Sequence, residues 1–327
     1  MKNTIKFLAL ICATLILFTA LASCNSITFI DDEPVINVAV LNGTTGFGAA
    51  KLISDNEAGN VYLNYNFSVE SDASLITAGL LNGSIDIAAL PTNAAANLYN
   101  QSNGKIKIVA INTLGVLYVV ANGEKVNVES LADLDGMTVY CPAQNPAFIF
   151  EAVCRSAAIN VTIDTAYAQP ADLRTAVAAG QVDIAVLPEP MVTIAKSANN
   201  KLVTALDLTE EWEKINGENS LAQGCIVVRT EWAEAHPAEL AKFMEEYKAS
   251  VEFTVASPSE AGELIVSTGV FAGKAAVAAK AIPNCNIVYL DGEEMASALD
   301  VFFAKLYAVK PQAVGGKLPD SGIYYKK

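Results

Sequence analysis

Short apolar, β-branched runs alternate with longer segments of helical periodicity from Pro34 onward. The runs predict strands over 35–40, 61–67, 85–90, 106–111, 117–121, 137–141, 161–167, 182–187 and 225–229. Helical periodicity covers 48–56 and then dominates the end of the chain, over 237–254, 258–268, 272–281 and 292–308. This alternation predicts an α/β fold with mostly parallel sheets.

An internal repeat divides this pattern into two halves. The segment 80–91, LLNGSIDIAALP, recurs as VAAGQVDIAVLP over 177–188. Each copy predicts a helix ended by Gly, a tight turn, a buried strand carrying one Asp, and a Pro that stops the strand. A strand-loop-helix unit also precedes each copy, beginning at Val35 and at Met137. Two similar lobes are therefore expected.

The repeat spacing sets the expected lobe boundaries. Lobe 1 is predicted over 34–120 together with 229–327, and lobe 2 over 121–228. Two mixed, mostly parallel sheets would then be joined by a two-crossing hinge, with crossings near 119–123 and 225–229. Such a hinge allows the lobes to close on each other.

The amino-terminal segment has the organisation of a lipoprotein export signal. A basic start precedes an apolar run over 7–22, and Leu-Ala-Ser stands directly before Cys24. We predict a signal peptide over 1–23, lipidation of Cys24 and a tether over 24–33, which places the protein outside the cytoplasm on a lipid anchor. An ordinary cleaved signal peptide and an uncleaved membrane helix are the alternatives, although the apolar run is short for a spanning helix.

Composition restricts the function classes. The chain is 52% hydrophobic and 17% charged, which is typical of a globular protein, and its formal net charge is −14. That charge repels nucleic acid and anionic lipid surfaces, so no nucleic-acid partner is expected and membrane contact is assigned to the anchor alone. A small anion is not excluded, because a local site can oppose the global field.

Cysteine and histidine usage argues against a metal site or histidine catalysis. Once Cys12 leaves with the signal and Cys24 is lipidated, the remaining cysteines fit no zinc motif; they are Cys141, Cys154, Cys225 and Cys285. They are compatible with one or two disulfides or with four buried thiols. The only histidine, His236, lies between predicted helices. No cofactor, no metal and no enzymatic activity are predicted.

Candidate ligand contacts follow from the rule that open α/β sheets bind ligands at the carboxyl ends of their strands. The residues at these ends are Gly43, Thr44, Thr45, Gly46, Phe47, Thr92, Asn93, Thr113, Gln144, Asn145 and Glu189. Loop 43–46 offers backbone N–H groups and two hydroxyls at a helix start, which suits ligand binding or an ordinary helix cap. Binding and capping also remain open for the two Asn residues, and Glu189 is either a cleft carboxylate or a solvated loop residue.

Charge and aromatic residues refine the expected ligand. None of these loops contains Arg or Lys, and Arg155 and Arg174 fall within helices as expected surface charges. A neutral or partly cationic polar solute, such as a heterocycle, is therefore favoured over a strong oxyanion. Phe47, Tyr118 and Phe148 are candidates for stacking on the ligand, with a place in the core as the alternative.

Several of these motifs together resemble a known family. They are the Cys24 signal, the loop 42–46, Pro-Thr-Asn over 91–93, Pro-Glu-Pro over 188–190 and GGKLPD over 315–320. The chain resembles the nitrate, sulfonate, taurine and pyrimidine-precursor group of ABC-importer solute-binding proteins, over essentially its whole mature length.

The resemblance implies a periplasmic-binding-protein type II fold with an interlobe cleft. It further implies a monomer that delivers a small solute to an ABC permease and its ATPase. Some relatives form the thiamine pyrimidine by consuming an active-site histidine, and with His236 alone such an enzyme is not expected here. A sensor lipoprotein that presents its ligand to a membrane receptor, and less so a pyrimidine-biosynthesis-like enzyme, are the alternatives.

Overall fold

The structure, a computed structural model, describes residues 35–326 and arranges them around two sheets. The predicted signal peptide, Cys24 and the tether lie outside the described residues. Over 35–326, no helix combines the length and apolar character needed to span a bilayer.

Six strands form the sheet of lobe 1, in the order β11-β4-β10-β3-β1-β2. Their bounds are Ile36–Leu41 (β1), Tyr65–Glu70 (β2), Ile87–Pro91 (β3), Ile106–Thr113 (β4), Gly224–Arg229 (β10) and Ile287–Leu290 (β11). Strand β1 pairs in parallel with β2 and β3, whereas β10 runs antiparallel between β3 and β4. β11 adds an antiparallel edge beside β4.

Five strands form the sheet of lobe 2, in the order β7-β6-β8-β5-β9. Their bounds are Leu117–Asn122 (β5), Thr138–Tyr140 (β6), Thr162–Asp164 (β7), Ile184–Pro188 (β8) and Leu202–Asp207 (β9). Strand β6 is parallel to β7 and β8, and β5 runs antiparallel between β8 and β9. The order β7-β6-β8-β5-β9 thus repeats the order β2-β1-β3-β10-β4 of lobe 1, which confirms the two-lobed α/β fold predicted from the repeat.

Thirteen α-helices connect and cover these strands within the described residues. In lobe 1 and the carboxyl-terminal part they are Thr44–Phe47 (α1), Ala50–Glu57 (α2), Ala73–Asn82 (α3), Thr92–Ser102 (α4), Thr230–Ala235 (α9), Pro237–Ala256 (α10), Pro258–Ser267 (α11), Ala275–Ala281 (α12) and Gly292–Val309 (α13). In lobe 2 they are Asn145–Ser156 (α5), Pro170–Ala178 (α6), Met191–Ala198 (α7) and Leu208–Asn216 (α8).

The predicted lobe boundaries are displaced from the observed crossings. Because β5 belongs to the lobe 2 sheet and β10 to the lobe 1 sheet, the chain crosses at 114–116 and returns at 217–223. The predicted crossings, 119–123 and 225–229, fall inside or at the end of these two strands. Both strands are continuous and buried, so their periodicity shows where they lie but not which sheet they join.

Some elements differ from the sequence pattern. β9 and β11 were not expected, because β9 exposes consecutive residues and β11 spans only four, so neither shows clear alternation. β2 begins at Tyr65 rather than at Val61, so residues 61–64 lie outside the strand. Asn56 hydrogen-bonds the N–H and the carbonyl of Tyr65 at this start.

The largest apolar core runs through both lobes. Helix α13 contacts β4 of lobe 1 and α5 of lobe 2, and its Phe302 ring lies 6.3 Å from the Trp212 ring of α8. Arg155 of α5 donates to the Ala308 carbonyl at 3.2 Å, and Asn219 donates to Glu294 at 3.0 Å. The carboxyl-terminal helix therefore joins the lobes independently of the two crossings.

Candidate functional site

The loop after β1 is held by backbone contacts rather than by a helix cap. Gly43 has φ +104°, a conformation that favours glycine, and its N–H donates to the Val270 carbonyl at 2.9 Å. A side chain at Gly46 would collide with the Leu41 carbonyl, so glycine is required there. Thr44 and Thr45 are half-buried, and no side-chain hydrogen bond caps the four-residue helix α1.

Phe47 does not line the cleft. Its side chain is fully buried in the lobe 1 core, edge-on to Phe271 with ring centroids 6.1 Å apart. The expectation that Phe47 contacts ligand is therefore not supported, because a ring enclosed by core residues has no free face.

Thr113 and its neighbour Asn112 support the same loop from behind. Asn112 is buried and donates to the Thr45 carbonyl at 2.8 Å and to the Tyr247 hydroxyl at 3.0 Å. Thr113 is also buried and donates to Asn112 Oδ1 at 3.2 Å. Thr113 thus orients Asn112, and Asn112 in turn holds the loop after β1 at Thr45. Asn112 is not among the candidates predicted from the sequence.

Helix α4 begins directly after β3 and carries two candidates. The Thr92 N–H donates to the Gln223 carbonyl at 3.0 Å, and the Thr92 side chain is fully buried beside the Cys225 thiol. Asn93 is half-buried, and its Oδ1 atom is shielded from solvent without a hydrogen-bond partner among the described residues. A buried carbonyl oxygen without a donor is costly, so Asn93 is a group that a ligand could satisfy.

Lobe 2 presents the same feature at the start of α5. Gln144 is exposed, in a left-handed conformation with φ +65°. Asn145 is half-buried, and its Oδ1 atom is likewise shielded and unpaired among the described residues. Neither Asn93 nor Asn145 uses Oδ1 as a helix cap. Each lobe therefore offers one free amide oxygen at a strand end.

Glu189 is a buried carboxylate rather than a solvated loop residue. It is 4% exposed, and its two oxygens accept from the Thr193 N–H at 3.1 Å and the Thr193 hydroxyl at 3.0 Å. Burial raises the pKa of Glu189, and hydrogen bonds from Thr193 and from Asn284 of lobe 1 oppose that shift. The Glu189–Pro190 peptide bond is cis.

Two of the aromatic candidates lie at or near the lobe junction. The Tyr118 hydroxyl donates to the Asn284 carbonyl at 2.7 Å, and burial raises the pKa of Tyr118. Phe148 is half-buried and packs against the shared core. Tyr118 therefore joins the lobes, with its hydroxyl already engaged.

The arginines and cysteines that the sequence analysis considered differ in their burial and pairing. Arg155 is exposed and pairs with Glu151 at 2.5 Å, whereas Arg174 is half-buried on α6. The four described cysteines are buried free thiols, which confirms one of the two alternatives left open by the sequence. Within 35–326, no group of three His, Cys, Asp or Glu residues could hold a metal ion.

Two surface grooves lie away from the predicted ligand contacts. One of about 330 Å³ lies between β1, β2 and α3, and one of about 210 Å³ lies between α2 and α10. Neither is lined by any of the predicted ligand contacts, so cavity size alone does not identify the site.

Comparison with known proteins identifies the family of the chain and proteins of similar fold. A family model described as menaquinone biosynthesis matches residues 67–308. An ABC transporter from Parabacteroides distasonis is 27% identical, with 90% of this chain and 99% of that chain covered and a TM-score of 0.76. No curated protein matches the chain.

Two further structures share the fold at lower identity. The periplasmic aliphatic sulphonate binding protein of Escherichia coli is 15% identical, with 89% of this chain and 92% of that chain covered and a TM-score of 0.68. The ligand-binding component of an ABC-type import system from Staphylococcus aureus, determined with zinc bound, is also 15% identical, with 90% and 97% covered and a TM-score of 0.65.

Proposed function

Because the chain belongs to the menaquinone biosynthesis family and has the fold of ABC-importer solute-binding proteins, we propose that it captures a small polar molecule between its lobes for delivery to an ABC importer. The observation that carries this proposal is the position of two of the four shielded Asn amide oxygens that lack a partner among the described residues: Asn93 and Asn145 lie at the starts of the helices that follow β3 and β6. A ligand that hydrogen-bonds both would stabilise one interlobe arrangement by differential affinity.

The ligand proposed is neutral or partly cationic and carries N–H or O–H donors. The two free acceptors call for donors, and the strand-end loops supply no Arg or Lys to neutralise an oxyanion. A polar heterocycle satisfies these requirements. A sulfonate, the ligand class in the name of the Escherichia coli protein, would bring oxygens toward acceptor oxygens and toward a negatively charged chain.

The proposed setting is the outer face of the cell membrane, with Cys24 lipidated and the permease and its ATPase as partners. A monomer suffices, because the chain itself supplies both lobes of the cleft. A lipoprotein sensor would use the same binding step, with a receptor in place of the permease.

An enzymatic role is the second candidate, since the family description names a biosynthetic pathway and Glu189 is a buried carboxyl with a raised pKa. Against it, both Glu189 oxygens already accept hydrogen bonds from Thr193. His236, the single histidine, lies between α9 and α10 with its ring 5.1 Å from Trp232.

A ligand screen with matched variants tests the proposal. Thermal unfolding is measured with pyrimidines, vitamins, amines, nitrate and alkanesulfonates, because a ligand at 100 times its Kd adds about 2.7 kcal/mol of stability. For a confirmed ligand, Asn93→Ala and Asn145→Ala should each weaken binding about 5- to 10-fold, the value of one hydrogen bond. Asn97→Ala, one turn further along α4, is the control and should leave the affinity unchanged.

The same variants separate a binding role from a structural one. Asn93→Ala and Asn145→Ala each remove an oxygen that has no partner among the described residues, so both should unfold without ligand at the wild-type temperature or a higher one. Unchanged affinity in both variants would remove the support for the site. Chemical turnover of a bound compound, followed by mass spectrometry, would favour the enzymatic role.

A further inference from the structure

The first crossing between the lobes, 114–116, is clamped by side chains from distant parts of the chain. The backbone carbonyl of Asn286, directly before β11, accepts from the Leu114 N–H at 3.0 Å, and the Asn286 side chain donates from Nδ2 to the Gly115 carbonyl at 2.6 Å. A side chain at Gly115 would collide with the Thr209 hydroxyl of α8. The crossing is therefore enclosed, and its rotation is restricted at Gly115.

The end of this crossing is tied to both the return crossing and lobe 2. Gln223, the last residue of the return crossing, accepts from the Val116 N–H through Oε1 at 2.6 Å. The Val116 carbonyl in turn accepts from the Glu189 N–H at 2.9 Å. One side chain thus joins the two chain segments that pass between the lobes, next to the buried carboxylate of lobe 2.

The backbone of Gln223 extends this connection to the lobe 1 site. Its N–H donates to the Thr113 carbonyl at 3.0 Å, and its carbonyl accepts from the Thr92 N–H at 3.0 Å. Thr92 begins helix α4 and immediately precedes Asn93. A displacement of Gln223 would therefore move the start of α4 and the first crossing together.

We propose that Gln223 is a positioning residue for lobe movement, because its side chain makes the two crossings bend as one unit. Through these contacts it couples the start of helix α4, at Asn93 of lobe 1, to Glu189 of lobe 2. The coupling to ligand rests on the proposed function, whereas the mechanical link between the crossings does not. Residues 114–116 are buried, so loss of the Gln223 acceptor would leave an unsatisfied N–H at Val116. The observed interlobe arrangement would then become less populated.

The proposal predicts a change in interlobe distance without any ligand. Spin labels are placed at the exposed positions Ser71 of lobe 1 and Ala171 of lobe 2 through Ser71→Cys and Ala171→Cys. The four described native cysteines are buried and should remain unlabelled. Double electron–electron resonance then gives the distance distribution between the lobes for each variant.

Gln223→Met keeps the side-chain length but removes the acceptor. It should raise the population outside the main wild-type distance peak at least about fivefold. This factor corresponds to the lower end of the free-energy cost of leaving a buried N–H without an acceptor. Gln223→Glu retains an acceptor and should restore the wild-type distribution. Gln101→Met, the same substitution at an exposed position of α4, should leave the distribution unchanged.

The outcomes distinguish positioning from general stability. If Gln223→Met lowers the unfolding temperature while its distance distribution matches wild type, the residue is only structural and the proposal is overturned. Should Gln223→Met fail to fold, Gln223→Asn keeps the amide but shortens its reach, and it should give the same additional population. A wild-type distribution in Gln223→Asn would equally overturn the proposal. Because these measurements need no ligand, they hold whether or not the binding function is confirmed.

Discussion

The two aspartates of the internal repeat should differ sharply in their contribution to stability. Asp86 of the first copy accepts from the Asn37 N–H at 3.0 Å, from Asn37 Nδ2 at 3.2 Å and from Arg229 at 2.9 Å. Its side chain is 7% exposed and that of Arg229 is 21% exposed. Asp183 of the second copy is 38% exposed and pairs with Lys125, which is 53% exposed.

Their environments set the expected magnitudes. Removing one partner of a buried pair leaves an uncompensated charge and costs about 3–5 kcal/mol, and the partial exposure of Arg229 places Asp86→Ala near the lower end, about 3 kcal/mol. An exposed pair contributes about 0–1 kcal/mol, so Asp183→Ala should cost less than 1 kcal/mol. In a domain near this size, 1 kcal/mol shifts Tm by roughly 2–4 °C.

Thermal unfolding of the two variants tests this difference. Asp86→Ala should lower Tm by about 6–12 °C, and Asp183→Ala by no more than about 4 °C. Asp86→Asn keeps the side-chain size and one acceptor and should fall between them. Equal losses for the two alanine variants would mean that the repeat position, rather than burial and pairing, determines the cost in stability.

Three further predictions follow from the site and the core. Burial raises the pKa of Glu189 in the folded protein above its ordinary value of 4.5. The contribution of Glu189 to the free energy of unfolding is therefore favourable below pH 4.5 and is lost as the pH rises through the folded pKa. Glu189→Gln should therefore be more stable than wild type near pH 7 in urea unfolding, with the gain disappearing at pH 4; a gain independent of pH would contradict the assignment. Burial raises the pKa of Cys154 and of Cys225 to about 12, so neither should react with an aqueous thiol reagent until urea unfolds the protein, and fast reaction of the native protein would contradict their burial. Phe302→Ala should cost about 3–5 kcal/mol through the shared core, measured by urea unfolding, and a loss below 1 kcal/mol would show that α13 does not join the lobes.

The sequence is sufficient to predict the architecture but not the lobe boundaries. The repeat over 80–91 and 177–188 places β3 and β8 at equivalent positions in two sheets of the same order. β5 and β10 cross into those sheets as antiparallel strands, and this pairing depends on hydrogen bonds to residues far away in the chain. Periodicity reports burial on each strand but contains no information about the partner strand.

The residues of the candidate site likewise fall into those that the sequence indicates and those that it does not. Strand ends indicate Asn93, Asn145 and Glu189, because a Pro or a helix start marks each of them in the sequence. Gln223 and Asn286 carry no such mark, since their partners Val116 and Gly115 lie 107 and 171 residues away. Phe47 illustrates the opposite error, because a strand-end position alone does not show whether an aromatic ring turns toward the cleft or the core.

The most direct test of a binding protein is the interlobe distance with and without ligand. The Ser71 and Ala171 labels are measured in the free protein and at saturation with the tightest compound from the thermal screen. Ligand should convert the distribution to one narrower peak, and Asn93→Ala with Asn145→Ala should raise the ligand concentration needed for this conversion. Saturating ligand that leaves the distribution identical to that of the free protein would contradict capture by lobe closure.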